Sequence, residues 1–301
     1  MKLYWKMLRR LISHPKTWLD IARKFVNNHI FKWKRYCLKC WCVWWQHKHK
    51  KSFSWVILYK CIHCNQTYSE FYWTIFFWTK TPINKWMIAI LEWCISTWSI
   101  SAAELARRIE VKSDTAWNML MKIRKLIYES NINSSKLLSW IVEADEAWYW
   151  KKKNNNQDGN QDIVMWLVER WKNWIRWWLR LFPIPNVKEK TLYPIIKSNV
   201  EKWSYFYTDS RLTYHITCIH YKHWVTNHSK WEFANWEVHS NTIEQIWWDI
   251  KWIIRTVHHW VSKKYRLFYL AQYTAKYENI KSNDLFFFTL SKILIPTFRG
   301  C

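Results

Sequence analysis

The chain holds 29 tryptophans and only 2 glycines among its 301 residues. Glycine normally makes up about 7% of a protein, because tight turns and helix ends need a residue that tolerates positive φ. A chain of this length cannot easily form all its turns with two glycines. Many of the tryptophans stand where glycine would be typical, including Trp44-Trp45, Trp177-Trp178, Trp247-Trp248, Trp150, Trp171 and Trp174.

We interpret many of these tryptophans as glycines in the living cell. A lineage that reads UGA as glycine would leave this pattern when its gene is translated with UGA as tryptophan. The two glycines in the sequence, Gly159 and Gly300, would then come from ordinary glycine codons. The alternative is a protein that is truly rich in tryptophan. Each tryptophan therefore has two possible identities.

The net charge of the chain is +25, and basic residues are spread over its whole length. A field of this sign and size attracts polyanions, of which nucleic acid is the leading candidate. The alternative is a basic protein with no such partner. A length of 301 residues allows two or three small domains, each with a core of its own.

The apolar runs of the sequence are short. Charged residues interrupt the first 16 residues every few positions, so we expect no signal peptide. No run approaches about 18 apolar residues, so we expect no membrane span and no membrane partner. Four of the 8 cysteines form two CxxC pairs, which indicates a metal site in a reducing cytoplasm rather than disulfides. We therefore expect a cytoplasmic protein.

Five segments are predicted from these patterns. Residues 1–30 read as a basic helical segment, and a polar break near 131–136 marks the main boundary. The other predicted segments are a zinc ribbon at 31–75, a helix-turn-helix DNA-binding domain at 82–130, an α/β catalytic domain at 137–290 and a tail at 291–301.

The zinc ribbon is predicted from the pairs Cys37/Cys40 and Cys61/Cys64. Each CxxC turn offers two thiolates to one tetrahedral Zn²⁺, and the intervening 20 residues suit a β-hairpin. Trp41 follows the second cysteine of the first pair, where glycine is common. Cys42, His47, His49 and His63 are spare donors. For the four cysteines of the two pairs, the alternative is redox chemistry or simple burial. The other cysteines, Cys94, Cys218 and Cys301, are expected in the core or tail.

The helix-turn-helix is predicted from SISAAELARRIEVKSDTAWNMLMKIRKLI. A helix over 102–109 precedes a short turn and a second helix, which Ser113 could cap. The exposed face of the second helix would meet DNA through Lys112, Asn118, Lys122 and Arg124. An ordinary helical hairpin is the alternative.

The remaining segment alternates strands and helices. LLSWIVEADEAWYW, DIVMWLVER and WIRWWLRLF read as three successive strands, followed by a helix in KEKTLYPIIKSNV, a strand in SYFYTD and a helix in NTIEQIWWDIKWIIRTV. This order is typical of an RNase H-like α/β core.

Three carboxylates are candidates for one catalytic site. Asp145 lies late in the first predicted strand, Asp209 ends the fourth, and Glu244 lies in the last helix. Carboxylates that converge repel one another unless cations neutralise them, and two Mg²⁺ or Mn²⁺ ions would suit phosphodiester chemistry. Lys251 is on nearly the same helix face as Glu244, where it could hold DNA, and Asn241 is a possible substitute for Glu244.

Other carboxylates in this segment are expected to have no catalytic role. We expect Glu143, Glu169 and Asp249 to be solvated surface charges. Glu146 adjoins Asp145 but should point to the opposite face of the sheet.

The whole order resembles bacterial insertion-sequence transposases of the DDE superfamily, in particular the zinc-ribbon group related to ISXO-type elements. The resemblance covers residues 31–290. Its motifs are CLKCW…YKCIHC, TPINKWMIAI, SAAELARRIEVKSDTAWNML, VEADEAWYWKKK, YFYTDS, VTNHSKWEF, HSNTIEQIWWDIK and VSKKYRLFYLAQYTAKYE. His239, Asn241 and Glu244 match the family's pattern before its last catalytic residue, and Asn227-His228-Ser229 matches a loop upstream.

The resemblance also indicates which tryptophans stand for glycine and which are true tryptophans. The family typically has glycine at Trp150, Trp166, Trp171, Trp203 and Trp236, whereas it carries tryptophan itself at Trp86 and at one of Trp247 and Trp248. Some members use asparagine as the third catalytic residue, so the choice between Asn241 and Glu244 stays open.

The resemblance implies a cut-and-paste transposase. The zinc ribbon and helix-turn-helix would recognise terminal inverted repeats in double-stranded DNA, and the core would cut them and join them to target DNA. Holding two ends together implies a homodimer or larger assembly. The alternatives are a DNA-binding regulator without catalysis, an inactive decayed transposase and a structure-specific nuclease of the same fold.

Overall fold

The computed structural model describes residues 15–28, 37, 39–42, 46–51, 56–72, 74–77, 79–96, 99–132, 137–149, 162–170, 178–209, 219–226, 241–259 and 261–278. Within these ranges the chain divides into two compact units. The first contains the described residues up to 96 and those from 100 to 130, and the second contains 99 and those from 131 to 278. The five predicted segment boundaries stay predictions, and the tail at 291–301 lies outside the described residues.

The described residues contain seven α-helices and eight strands. The helices are α1 (Pro15–Val26), α2 (Ile83–Ile95), α3 (Ala102–Ile109), α4 (Ser113–Ile132), α5 (Glu189–Asn199), α6 (Asn241–Ile253) and α7 (Arg266–Glu278). The strands are β1 (Gln46–Lys51), β2 (Ile57–Cys61), β3 (Thr67–Ser69), β4 (Ile141–Tyr149), β5 (Asp162–Arg170), β6 (Trp178–Ile184), β7 (Tyr205–Asp209) and β8 (Lys222–Thr226).

The first unit carries a small antiparallel sheet in the order β1-β2-β3. Glu70, which directly follows β3, is 1% exposed. Its carboxylate accepts hydrogen bonds from Arg23 Nε (2.6 Å) and Arg23 Nη2 (2.8 Å). The Ile57 amide donates to the same carboxylate at 2.9 Å. A buried carboxylate with this many donors ties α1 to the start of β2.

Three helices complete the first unit. α2 buries most of its surface, including Trp86, whose indole Nε1 donates to Thr79 Oγ1 at 2.9 Å. α3 begins after Ser101, whose hydroxyl accepts from the Glu104 amide at 3.1 Å, as an N-cap does. Three residues connect α3 to α4, and Glu110 there adopts φ 53°. The two predicted consecutive helices are therefore present.

The start of α4 differs from the prediction by one residue. Ser113 is the first helical residue, and the Lys112 carbonyl accepts from the Ala116 amide at 3.0 Å. Lys112 therefore holds the capping position that was expected for Ser113.

The second unit is built on a five-stranded sheet in the order β6-β5-β4-β7-β8. β4, β5 and β6 are antiparallel neighbours, whereas β4, β7 and β8 run parallel. α5 makes the crossover from β6 to β7. This is the order predicted for an RNase H-like core, and the α/β fold class is confirmed. The edge strand β8 was not predicted.

The two faces of the central strand β4 have different surroundings. Val142 and Ala144 belong to an apolar cluster with Leu192 and Ile196 of α5. Glu143 and Asp145 alternate with them, so they belong to the opposite face. α6 packs on β4 and β5, which places the long predicted helix beside the strand that carries Asp145.

Among the described helices, none combines the length and the apolar character that a membrane crossing requires.

Candidate active site and zinc centre

The register of β4 and β7 relates the first two predicted acids. The strands are parallel, with Ile141 opposite Tyr205 and Glu143 opposite Tyr207. The same offset, continued by two residues, brings position 145 level with position 209, the last residue of β7. Pairing between the two strands ends at Glu143 and Tyr207, so positions 145 and 209 lie level in register two residues beyond the last pair.

Glu143 is not the solvated surface charge that was expected. Its side chain is 0% exposed, and it forms an ion pair with Arg170 at the end of β5. The Arg170 guanidinium also lies 5.2 Å from the ring centroid of Tyr207 on β7. The expectation was wrong because the sequence around Glu143 does not show which cation an adjacent strand supplies.

Glu143 also holds the beginning of α6. Its Oε2 accepts a hydrogen bond from the Ile243 amide at 2.9 Å, in buried surroundings. The first amides of a helix have no partner within the helix, and negative charge is favoured beside them. The Glu143 carboxylate therefore caps α6, and Glu143 lies two residues before Asp145 on β4.

Lys251 lies within electrostatic reach of Asp145. Burial lowers the pKa of the Lys251 ammonium, and the nearby carboxylate of Asp145 acts in the opposite direction. The ammonium also sits 2.9 Å from the ring centroid of Trp247, one turn earlier on α6. The carboxylate of Asp145 thus acts electrostatically on the lysine that was predicted to hold DNA.

The two candidates for the third catalytic residue share the first turn of α6. Asn241 is its first residue, and Glu244 lies three residues later with an exposed side chain. The cap from Glu143 holds this turn against β4. Both residues are compatible with this placement, so the choice between them stays open.

The other carboxylates are buried or half-buried. Glu169 is 4% exposed, so it is not the surface charge that was expected, and Ser139 Oγ donates to it at 3.4 Å. Glu146 is 4% exposed, and its backbone amide donates to Asp145 Oδ1 at 2.7 Å. Asp249 is half-buried, and burial raises its pKa against a hydrogen bond from Gln245.

The cysteine pairs form two knuckles with matching backbone hydrogen bonds. The Trp41 amide donates to the Cys37 carbonyl, and the Asn65 amide donates to the Cys61 carbonyl, both at 2.9 Å. Trp41 and Asn65 have φ of 57° and 58°. These two positions are equivalent, and both require the left-handed backbone that glycine and asparagine adopt most readily.

The thiols fit a zinc ion. The sulfurs of Cys37, Cys40, Cys42 and Cys61 all lie within 4.8 Å of one another, and Cys64 Sγ lies 3.4 Å from Cys37 Sγ. Four thiolates at about 2.3 Å from Zn²⁺ would be about 3.8 Å apart, close to these separations. The cluster is compatible with the predicted zinc ribbon, and Cys42 enters it although it was expected only as a spare donor. Cys94 is buried in α2, as expected.

The DNA-contacting residues predicted on α4 do not share one face. Lys112, Asn118 and Lys122 are exposed, but Arg124 is 1% exposed. Arg124 lies two residues after Lys122, about 200° around the helix, beside the buried positions Leu120 and Ile127. Arg124 was therefore wrongly placed on the exposed face.

Three exposed tryptophans have backbone conformations that suit glycine. Six described non-glycine residues have positive φ, and three of them are Trp41, Trp140 and Trp203, with φ of 57°, 64° and 69°. Their side chains are 52%, 63% and 70% exposed, so the rings bury little area in return. Trp86, at 2% exposed, packs as a true tryptophan would.

Of the other tryptophans interpreted as glycine from the family resemblance, one is buried in the sheet and three lie outside the described residues. Trp166 is fully buried in β5, opposite Asp145. Trp150, Trp171 and Trp236 lie outside the described residues, as do His239 and the motif at 227–229. The backbone thus supports the glycine interpretation at Trp41 and Trp203.

Comparison with known proteins gives a family match for one part of the chain. Residues 137–277 match the family model described as the ISXO2-like transposase domain. No curated protein matches the chain. The similar solved structures include the Mos1 transposase paired-end complex with left transposon end, at 13% identity over 62% of this chain and 74% of that chain, with a TM-score of 0.19. The Mos1 strand transfer complex has the same identity and coverage and a TM-score of 0.17. TM-scores this low do not establish a shared fold, so the similarity to a family is that of residues 137–277.

Proposed function

Since residues 137–277 match the ISXO2-like transposase domain, we propose that this chain is a DNA transposase of the DDE type. It cuts the ends of an insertion sequence and joins them to target DNA. The observation that carries this proposal is the β4–β7 register, whose offset puts positions 145 and 209 level with each other just beyond the last paired residues.

Asp145, Asp209 and either Glu244 or Asn241 would hold two Mg²⁺ or Mn²⁺ ions. When bound, such ions lower the pKa of a water molecule and stabilise the leaving oxygen of a phosphodiester. Carboxylate and amide oxygens are the ligands these ions prefer. The cap from Glu143 to the Ile243 amide supports the proposal, because it fixes the third ligand's helix against the strand of the first.

The reaction has two steps. In the first, water adds to a phosphorus at the element's end, the bond from phosphorus to the 3′ oxygen breaks, and a 3′-hydroxyl is released. In the second, that hydroxyl attacks a target phosphodiester, so one phosphorus–oxygen bond forms as another breaks. Lys251 would neutralise phosphate charge beside Asp145, a role that its electrostatic contact with Asp145 supports.

The first unit would recognise the DNA. Lys112, Asn118 and Lys122 are exposed on or beside α4, and the net charge of +25 favours a polyanion. The partners would be the terminal inverted repeats and the target, both double-stranded. Two ends must be held together for joining, so the active form would be a homodimer or larger assembly. Structural Zn²⁺ would be held in the thiol cluster.

The test is cleavage of duplex DNA that carries the sequences flanking the reading frame. We expect strand cuts in Mg²⁺ or Mn²⁺ by the protein purified from its own host. Asp145→Asn and Asp209→Asn should each lower the cleavage rate by about 1,000-fold, since several kcal/mol of metal-based stabilisation are lost. Glu201→Gln is the matched control, because it neutralises an exposed carboxylate of the same unit.

Each outcome separates the proposal from its alternatives. Binding without any cleavage by the native protein would contradict it and favour a regulator or a decayed element. Cleavage that survives both aspartate substitutions would show that the acids do not form the active site. Cleavage of branched DNA with no preference for the flanking sequences would favour a structure-specific nuclease.

A further inference from the structure

The thiol cluster contains one more cysteine than a tetrahedral zinc ion can bind. Five cysteines of the first unit have sulfurs in contact: Cys37, Cys40, Cys42, Cys61 and Cys64. Zinc in a structural site takes four ligands. One of the five must therefore remain outside the coordination shell at any moment.

Two different sets of four can be drawn from these five cysteines. Cys42 Sγ lies 3.2 Å from Cys61 Sγ and 3.3 Å from Cys40 Sγ. Cys64 Sγ lies 3.4 Å from Cys37 Sγ. The sulfurs of Cys37, Cys40, Cys42 and Cys61 all lie within 4.8 Å of one another, and they form one set. The two CxxC pairs form the other set, which has Cys64 in place of Cys42. The trio shared by both sets is Cys37, Cys40 and Cys61.

The position of Cys42 does not follow from the knuckle fold. The Cys42 carbonyl accepts from the Cys37 amide, as the Gln66 carbonyl accepts from the Cys61 amide, both at 2.9 Å. Gln66 is therefore the equivalent of Cys42 in the second knuckle. The Gln66 side chain is exposed and donates to the Thr67 carbonyl at 3.3 Å, whereas Cys42 is half-buried against other thiols.

We propose that Cys42 is an interchangeable zinc ligand, which completes the tetrathiolate with Cys37, Cys40 and Cys61 whenever Cys64 is released. The ribbon then has two alternative four-sulfur sets that share three members. Exchange moves one thiolate on and one off, so the charge and the coordination number of the zinc stay the same. This inference does not depend on the proposed transposase activity.

The test uses the full chain and Co²⁺ as a spectroscopic substitute for Zn²⁺. We expect Cys42→Ser and Cys64→Ser each to retain the tetrahedral four-thiolate spectrum, with zinc affinity within about tenfold of the unsubstituted chain. The double variant should lose the spectrum and bind zinc about 100-fold more weakly, because one ligand of four is missing. Cys94→Ser is the control, since it removes a buried thiol outside the cluster.

A second measurement works on the unsubstituted, zinc-loaded protein. Brief alkylation followed by peptide mass spectrometry should label Cys42 and Cys64 in part, and the trio hardly at all. Labelling of Cys42 alone, or of Cys64 alone, would overturn the proposal, as would loss of the four-thiolate spectrum in either single variant. An unsubstituted chain that shows no such spectrum with Co²⁺ would overturn it as well.

Discussion

Glu143 should be among the most sensitive positions of the second unit, although it is not one of the predicted catalytic acids. Glu143→Leu removes the carboxylate that pairs with Arg170 and caps α6 at Ile243. Removing one partner of a buried ion pair costs about 3–5 kcal/mol. Arg170 keeps its contact with Tyr207 and is 14% exposed. We therefore expect a loss at the lower end, about 3 kcal/mol.

Glu143→Gln separates the two interactions. The glutamine carbonyl can still accept from the Ile243 amide, whereas the negative charge facing Arg170 is lost. The Gln and Leu variants should therefore differ by about the free energy of a helix cap, about 1 kcal/mol. Glu143→Leu combined with Arg170→Leu should recover part of the loss, because it leaves no buried charge unpaired.

The assay combines urea unfolding with hydrogen exchange read by mass spectrometry. Peptides from α6 should exchange faster in the Leu variant and close to normally in the Gln variant, while the exposed control Glu201→Gln should change stability by less than about 0.5 kcal/mol. Equal stability of the Leu variant and the unsubstituted protein would refute the role of the ion pair. A destabilised Leu variant with unchanged exchange in α6 would refute the cap.

Three further predictions follow from other parts of the chain. Trp41→Gly and Trp203→Gly should each stabilise the protein by about 1 kcal/mol in urea unfolding, because a left-handed backbone costs a residue with a Cβ about that much, whereas Trp86→Gly should destabilise it by at least about 3 kcal/mol. Peptide masses of the native protein should show glycine at positions 41 and 203. For Lys251, burial lowers the folded pKa below the ordinary 10.5, so the unfolded state binds more protons between those two values. The unfolding free energy should therefore rise with pH across that window, and Lys251→Met should abolish this rise in a pH series of urea titrations. Lys122→Gln should reduce the salt dependence of DNA binding by about one unit of slope, whereas Arg124→Met should lower stability and leave that slope unchanged.

The sequence predicted the elements whose periodicity is strong. β5 has a continuous apolar run from Ile163 to Val168, and β4 has Val142 and Ala144 on its buried face. Positions 145 and 209 are level in register because one offset relates two parallel strands. β8 was missed because it has five residues at a sheet edge, with Trp224 and Val225 exposed, so that no buried face marks it.

The errors concern side chains whose surroundings come from distant segments. Glu143 looked like an isolated charge, but its partners are Arg170 at the end of the next strand and an amide 100 residues away. A signal was available, because Glu143 shares a strand face with Asp145. Arg124 was an error of helix geometry, since 200° separates it from Lys122. Cys42 could not be placed, because the knuckle turn alone directs the equivalent residue, Gln66, outward.

The end of the β4–β7 pairing bears on what holds the two aspartates in place. Backbone pairing between these strands stops at Glu143 and Tyr207, while β7 continues to pair with β8 as far as Asp209. Positions 145 and 209 therefore lie two residues beyond the last pair that joins β4 to β7. Asp145 is paired with Trp166 of β5, and Asp209 is paired with Thr226 of β8, so each position is held from its outer side. In the proposed transposase, this arrangement would leave the space between the two aspartates for the metal ions and the DNA, because no backbone pairing of β4 with β7 occupies it.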